Sequence, residues 1–186
     1  MKQESRVLGV DDAPFDKFKD KSTKIIGVVY RGGNYMDGVV SGKISVDGED
    51  STKAIIRMVK NSKFFNDIRC LMLKGLGVGG LNIVDIDEIY VKTKIPVLVV
   101  MRHKPDKAKL AKTLEELGMG KKALLVHKAG KISKVDSLFV QSKGLTRAQA
   151  KELLKITITN SSIPEPLRVA HLIAGGIVHG ESRGKA

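Results

Sequence analysis

The chain has 186 residues and a formal charge of +13, with 33 Lys and Arg against 20 Asp and Glu. That length suits one domain with its own core and leaves little room for a second, while the basic excess favours polyanionic partners, nucleic acid ahead of an anionic membrane. An aromatic content of 4% argues against a single-strand binder built on stacked bases, and no segment reaches the roughly 18 uninterrupted apolar residues of a membrane span.

The single cysteine, Cys70, lies in the apolar run Cys70-Leu71-Met72-Leu73 and reads as a reduced core residue of a cytoplasmic protein. The first residues, Met1 to Arg6, are not followed by an apolar stretch of signal-peptide length. There is no internal repeat and no linker, so residues 1–186 are expected to form a single domain.

In chain order, Val7-Leu8-Gly9-Val10 reads as a first strand ending in Asp11-Asp12. Ile25 to Tyr30 reads as a second strand, Arg31-Gly32-Gly33-Asn34 as a hairpin turn and Gly38 to Val46 as a third strand, together an antiparallel meander. The period then changes: Ile55, Met58 and Val59 fall on one face of a helix from Asp50 to about Lys60. Arg69 to Leu73 has the continuous apolar character of a strand buried on both faces. A helix over Leu81 to Thr93 and a buried strand over Pro96 to Val100 follow. Asp106 to Leu117 is an amphipathic helix with Leu110, Ala111, Leu114 and Leu117 on its apolar stripe. Residues 122–126 and 137–140 read as further strands. Thr146-Arg147-Ala148-Gln149 has the form of a capping box and opens a helix through Leu154. The last helix starts near Pro164 or Pro166 and buries Leu167, Ala170, Ala174 and Ile177. An early antiparallel trio feeding a strand-helix alternation predicts an α/β fold with a mixed sheet flanked by helices. The ribonuclease H-like fold has this order of elements.

Four groups of residues carry possible chemistry. The first is Asp11-Asp12, a pair of carboxylates on the rigid end of a strand. Mg²⁺ takes oxygen ligands with carboxylates as anchors, and adjacent strand residues face opposite sides of the sheet, so one of the two is expected to face a site. The second is Val46-Asp47-Gly48-Glu49-Asp50, at the junction of the third strand and first helix, where Asp50 also suits an N-cap and Asp47-Gly48 a turn. Two acidic clusters meeting in a strongly basic chain are costly to hold together without a cation, which argues for a divalent metal.

The third group is Lys74-Gly75-Leu76-Gly77-Val78-Gly79-Gly80-Leu81-Asn82, in which Gly75, Gly77 and Gly80 fit the dinucleotide-binding pattern. That pattern calls for an acid at the end of the next strand, and this strand ends in Arg102-His103. A nucleic-acid phosphate suits a glycine loop at a helix start equally well, with Lys74 and Arg102 flanking it. The fourth is Asn82 and Asp85; Asp85 either completes a carboxylate set or complements the positive end of the helix. His103, His127, His171 and His179 lack the spacing of a zinc site, and His171 falls in the last helix close to Arg168.

Gly9-Val10-Asp11-Asp12-Ala13-Pro14-Phe15, Val46-Asp47-Gly48-Glu49-Asp50, Gly79-Gly80-Leu81-Asn82-Ile83-Val84-Asp85 and Ile95-Pro96-Val97 together resemble the archaeal endonuclease dU family, over nearly the whole chain. That family is similar to endonuclease V, whose closing motif Ile163-Pro164-Glu165-Pro166-Leu167-Arg168-Val169-Ala170-His171 resembles. The resemblance implies a ribonuclease H-like nuclease that cuts a DNA phosphodiester near a deaminated base such as deoxyuridine, a DNA-repair activity, with RNA as another possible polymer and no membrane partner. It implies Mg²⁺ or Mn²⁺ held by Asp11 or Asp12 with Asp47, Asp50 or Asp85 as the catalytic acids. Lys74, Gly75, Gly79, Gly80, Asn82, Arg102 and His171 are then expected to hold phosphate and nucleic acid. The third carboxylate of endonuclease V, at the end of the fourth strand, is replaced here by Lys74. Either Asp85 substitutes for it, or Lys74 offsets phosphate charge, or the metal count differs. Two other readings stand beside this one: a non-catalytic nucleic-acid binder on the same fold, motivated by Lys74, and a dinucleotide-dependent enzyme using the loop from Gly75 to Gly80. Oligomeric state is left open.

Overall fold

The computed structural model describes residues 4–183, so the outermost ends of the expected domain, 1–3 and 184–186, lie outside the described residues. Its strands are β1 (Arg6–Asp12), β2 (Ser22–Arg31), β3 (Tyr35–Ser45), β4 (Ile68–Leu73), β5 (Val97–Met101), β6 (Ser133–Val135) and β7 (Leu138–Lys143). Its helices are α1 (Ser51–Lys60), α2 (Ile86–Thr93), α3 (Lys107–Glu116), α4 (Gly120–Lys128), α5 (Arg147–Thr157) and α6 (Glu165–His179). One seven-stranded sheet runs in the order β3-β2-β1-β4-β5-β7-β6. The first three strands form the expected antiparallel meander. β4 and β5 run parallel to β1, β7 lies antiparallel to β5, and β6 pairs antiparallel with β7 at the far edge.

Alternation along β1 divides the core. Leu8 and Val10 point to one face, where α1 contributes Ile55 and Val59, α2 Ile86 and Ile89, α3 Ala111 and Leu114, and α4 Ala123 and Val126. Val7 points to the other face, together with Cys70, Met72, Leu98 and Val100, and is covered by Leu153 and Leu154 of α5 and Leu167 of α6. Ala170 and Ala174 of α6 complete that layer over Ile26 and Val28. β1, β4 and β5 are therefore shielded on both sides, which is why they read as unbroken apolar runs. Each such fully buried aliphatic side chain is worth about 1.5–3 kcal/mol. Because β1, β4 and β5 are parallel, their carboxyl ends meet at one edge, the place where open α/β sheets bind ligands.

Several expectations are corrected. Residues 122–126 lie in helix α4, not a strand; Ala123 and Val126 are buried while Leu124 between them is exposed, a helical spacing hidden in a continuous apolar run. The helix expected from Leu81 begins only at Ile86, because Asp85 caps it by accepting from the Glu88 N–H. Leu117 and Ile177 are exposed, Leu117 at the C-cap of α3 and Ile177 in the last turn of α6. The short β6 has no counterpart among the predicted elements. The capping box at Thr146 and Gln149 forms as read, and α6 starts directly after Pro164. Among the described residues no helix is long and apolar enough to cross a membrane.

Candidate active site

The parallel ladder pairs Val10 of β1 with Leu73 of β4, so the next residues of the two strands, Asp11 and Lys74, emerge side by side. Asp11 points to the face covered by α6. That helix approaches β1 at Gly9, where a Cβ would overlap the carbonyl of Pro166. Absence of a side chain there lets helix backbone rest on strand backbone. From Gly9 to Asp11 the strand advances about 6.6 Å, and from Pro166 to His171 the helix advances about 7.5 Å. The near match brings His171 over Asp11.

In this arrangement His171 Nδ1 lies 2.9 Å from Asp11 Oδ2. Lys74 Nζ lies 3.6 Å from the same oxygen and 3.5 Å from His171 Nδ1. Asp11 is 7% exposed, whereas the Lys74 side chain is 35% exposed. A nearly buried carboxylate is thus flanked by an imidazole and by an ammonium that reaches outward. The first turn of α6 is itself locked, since Arg168 forks onto the buried Glu165 at 2.6–3.0 Å. Beside Lys74 opens a cavity of about 270 Å³, walled by Val100, Met101, Ile163 and Leu167, with Arg102 and His103 at its edge. Arg102, His103 and Lys104 are exposed there.

Asp12 faces the opposite side of the sheet. Its Oδ2 accepts from the Gly79 N–H at 3.1 Å. Burial, and then the charge of Asp11, push its carboxyl above the usual carboxylate range. Asp47 and Asp50 are spent on the same loop, and Asp85 on the start of α2. Asp47, in the left-handed region at φ 52, accepts from the Leu81 N–H at 2.6 Å. Its carbonyl accepts from Lys122 Nζ at 2.6 Å. Asp50 occupies the N-cap position of α1, but its side chain makes no cap; it accepts from Ser45 and, at 2.7 Å, from Asn82 Nδ2. Burial raises the Asp50 carboxyl, but the hydrogen bonds from Asn82 and Ser45 outweigh it and hold the group below the usual range. Asp85 caps α2 and pairs with Lys128 at 2.6 Å. Burial opposes its ionisation too, and the Lys128 hydrogen bond prevails.

The structure therefore brings Asp11, Lys74 and His171 together, with Gly75 and Arg102 at the adjoining cavity, and leaves Asp47, Asp50 and Asp85 bracing loops and helix starts. Among the described residues no group of three or more His, Cys, Asp and Glu could hold a metal ion. The donor set at Asp11 does not fit Mg²⁺ or Mn²⁺. These ions take mostly oxygen ligands in near-octahedral order, and here an ammonium and an imidazole face the carboxylate while Asp12 turns away to Gly79.

The glycine loop is also corrected. It turns back on itself through a bridge between Gly77 and Ile83 instead of opening a helix. The Gly79 and Leu81 N–H groups serve Asp12 and Asp47, not an external anion. A side chain at Gly80 would run into Asp47 Oδ1. Asn82 is fully buried and stitches the loop to the start of α1 through the Ser51 N–H at 3.1 Å. Sequence reasoning missed the buried Lys122, which no spacing betrays, and the Glu165–Arg168 lock, which the spacing of three within the helix start could have flagged.

The family model described as endonuclease dU matches residues 3–178. A UPF0215 protein of Methanothermobacter thermautotrophicus is 44% identical over 191 residues, covering 100% of this chain and 94% of that one. The crystal structure of a protein of unknown function from Archaeoglobus fulgidus superposes with a TM-score of 0.87 at 40% identity, covering 94% of this chain and 99% of that chain. Endonuclease V of Ciona intestinalis, solved in complex with a 24mer DNA containing an inosine followed by a ribo-adenosine, shares the fold with a TM-score of 0.57 at 14% identity, covering 89% of this chain and 82% of that one. The architecture is thus the ribonuclease H-like one, and the chain belongs to the endonuclease dU family.

Proposed function

We propose that this protein is a cytoplasmic endonuclease of DNA repair that hydrolyses a DNA phosphodiester near a deaminated base such as deoxyuridine. The observation that carries the reading is the convergence of Asp11, Lys74 and His171 at the carboxyl ends of two parallel strands, beside a base-sized cavity. Support comes from the family description, from a charge of +13 suited to a phosphate backbone, and from an endonuclease V of the same fold in complex with a DNA that contains inosine, a deaminated nucleoside.

In this reading Lys74 and Arg102 hold the phosphate. When His171 donates its Nδ1 proton to Asp11, Nε2 carries the lone pair and becomes the ring's proton acceptor. It takes a proton as a water oxygen attacks phosphorus and the bridging P–O bond breaks; the departing oxygen leaves with a proton from solvent. The apolar walls of the cavity receive a base turned out of the stack, a step that costs least at a damaged or mispaired site. The Mg²⁺ or Mn²⁺ expected from the sequence enters no step, because the residues at Asp11 do not suit it.

The test is cleavage of a labelled duplex carrying one deoxyuridine, run beside an undamaged duplex and the Asp11→Asn protein. Lesion-selective cutting that Asp11→Asn lowers by about 10²–10⁴-fold is expected. A second reading is favoured by one observation, the lysine at the end of β4: a protein that binds lesions and does not cut. Tight, selective binding with no product from wild type establishes that reading instead. The dinucleotide reading is withdrawn, since the loop N–H groups that would cradle the pyrophosphate are held by Asp12 and Asp47.

A further inference from the structure

The end of β4 offers a lysine where the resemblance to endonuclease V implies a carboxylate, and the geometry shows what that lysine faces. Its ammonium stands 3.6 Å from Asp11 Oδ2, the same oxygen that His171 approaches at 2.9 Å. A carboxylate as buried as Asp11 requires a compensating positive charge or hydrogen-bond donors. Lys74 gives one from the solvent side, and an ammonium has three N–H donors, so engaging Asp11 leaves donors for a phosphate oxygen. A divalent ion on Asp11 would compete with Lys74 for that oxygen and repel it. Asp85, the acid that the sequence offered in place of the lost ligand, instead caps α2 and is neutralised by Lys128 at 2.6 Å.

We infer that Lys74 is the resident cation of this site, supplying as a fixed ammonium the charge that Asp11 and a bound phosphate both require, so that nucleic-acid phosphate is engaged without a divalent metal. This deepens the nuclease reading and rests on it for the identity of the phosphate, but not for the identity of the cation. One consequence needs no nucleic acid: removing the ammonium and placing a carboxylate there should create a metal site.

The experiment titrates Mn²⁺ alone into the chelator-treated full-length protein by calorimetry, comparing wild type with Lys74→Asp and Lys74→Met. Wild type is expected to show no saturable Mn²⁺ binding, and Lys74→Asp to gain a saturable one-site isotherm, because a second carboxylate beside Asp11 is an oxygen ligand of the kind this ion takes. Lys74→Met is expected to gain none. Should Lys74→Asp fail to fold, Lys74→Met carries the test through duplex affinity. Wild type then binds a deoxyuridine duplex equally in EDTA and in Mg²⁺, while Lys74→Met binds more weakly and with a salt slope smaller by about 1. Saturable Mn²⁺ binding by wild type that Asp11→Asn removes would overturn the inference, as would duplex binding that requires Mg²⁺. A wild-type protein with no affinity for any deoxyuridine duplex would remove the nuclease reading, and the Mn²⁺ titration would still decide the identity of the cation.

Discussion

Asp12 and Asp37 show opposite effects of environment on a carboxylate. Asp12 is pushed up by burial and by Asp11. Below the unfolded carboxylate value, about 3.9, both states are protonated and the group is neutral to stability. Above the folded value its ionisation costs folding energy. Asp12→Asn keeps an oxygen for the Gly79 N–H and removes that cost. Thermal melts should show a higher midpoint than wild type at neutral pH and no difference at strongly acidic pH. Asp37 is held low, first by the hydrogen bond from Arg31 at 2.6 Å, with Arg6 at 2.6 Å in support. Its contribution is present above the unfolded value and is lost as pH falls through the folded one. Asp37→Asn should cost about 1.5–3 kcal/mol in neutral urea melts and much less in acid. At this scale the sequence was half legible. A period of two says that Asp11 and Asp12 face opposite sides, but His171, which meets Asp11 at 2.9 Å, lies 160 positions away. The sequence offers Asp47, Asp50 and Asp85 both as ligands and as turn, cap or helix-start residues, and their hydrogen-bond partners decide for the bracing roles.

Among the elements, the seating of α6 on β1 matters most to the site. Gly9 permits that seating because its missing Cβ leaves room for the Pro166 carbonyl. Gly9→Ala should therefore shift α6, destabilise the protein by about 1–3 kcal/mol or more in urea melts, and lower cleavage by moving His171 off Asp11. Unchanged stability and cleavage would show that the helix does not depend on this contact. The meander, the central strands and the capped α5 were legible because each has a clear period or a capping pair. The strand expected at 122–126 failed because an apolar run hides its own period, and the early start given to α2 failed because a glycine-rich segment can fold back on itself as readily as it can open a helix.

At the scale of the molecule, parallel pairing of β1 with β4 and β5 gathers residues from distant segments at one sheet edge, while the +13 charge acts over the whole surface. Duplex affinity should fall linearly on a log–log plot against salt, with a slope of about −0.9 per phosphate neutralised; a flat plot would remove nucleic acid from the account. The overall architecture was legible from element order, and the family from short motifs. The meeting of Asp11, Lys74 and His171 at one point was not, although the sequence named each of them, because it depends on the seating of α6 on β1. The most direct measurement is the rate at which His171→Ala cuts a duplex with one deoxyuridine, compared with wild type at matched duplex occupancy. Wild type should cut selectively at the lesion and the variant should lose about 10²–10⁴-fold with binding retained; equal cutting by the two proteins would contradict a proton-accepting role for His171.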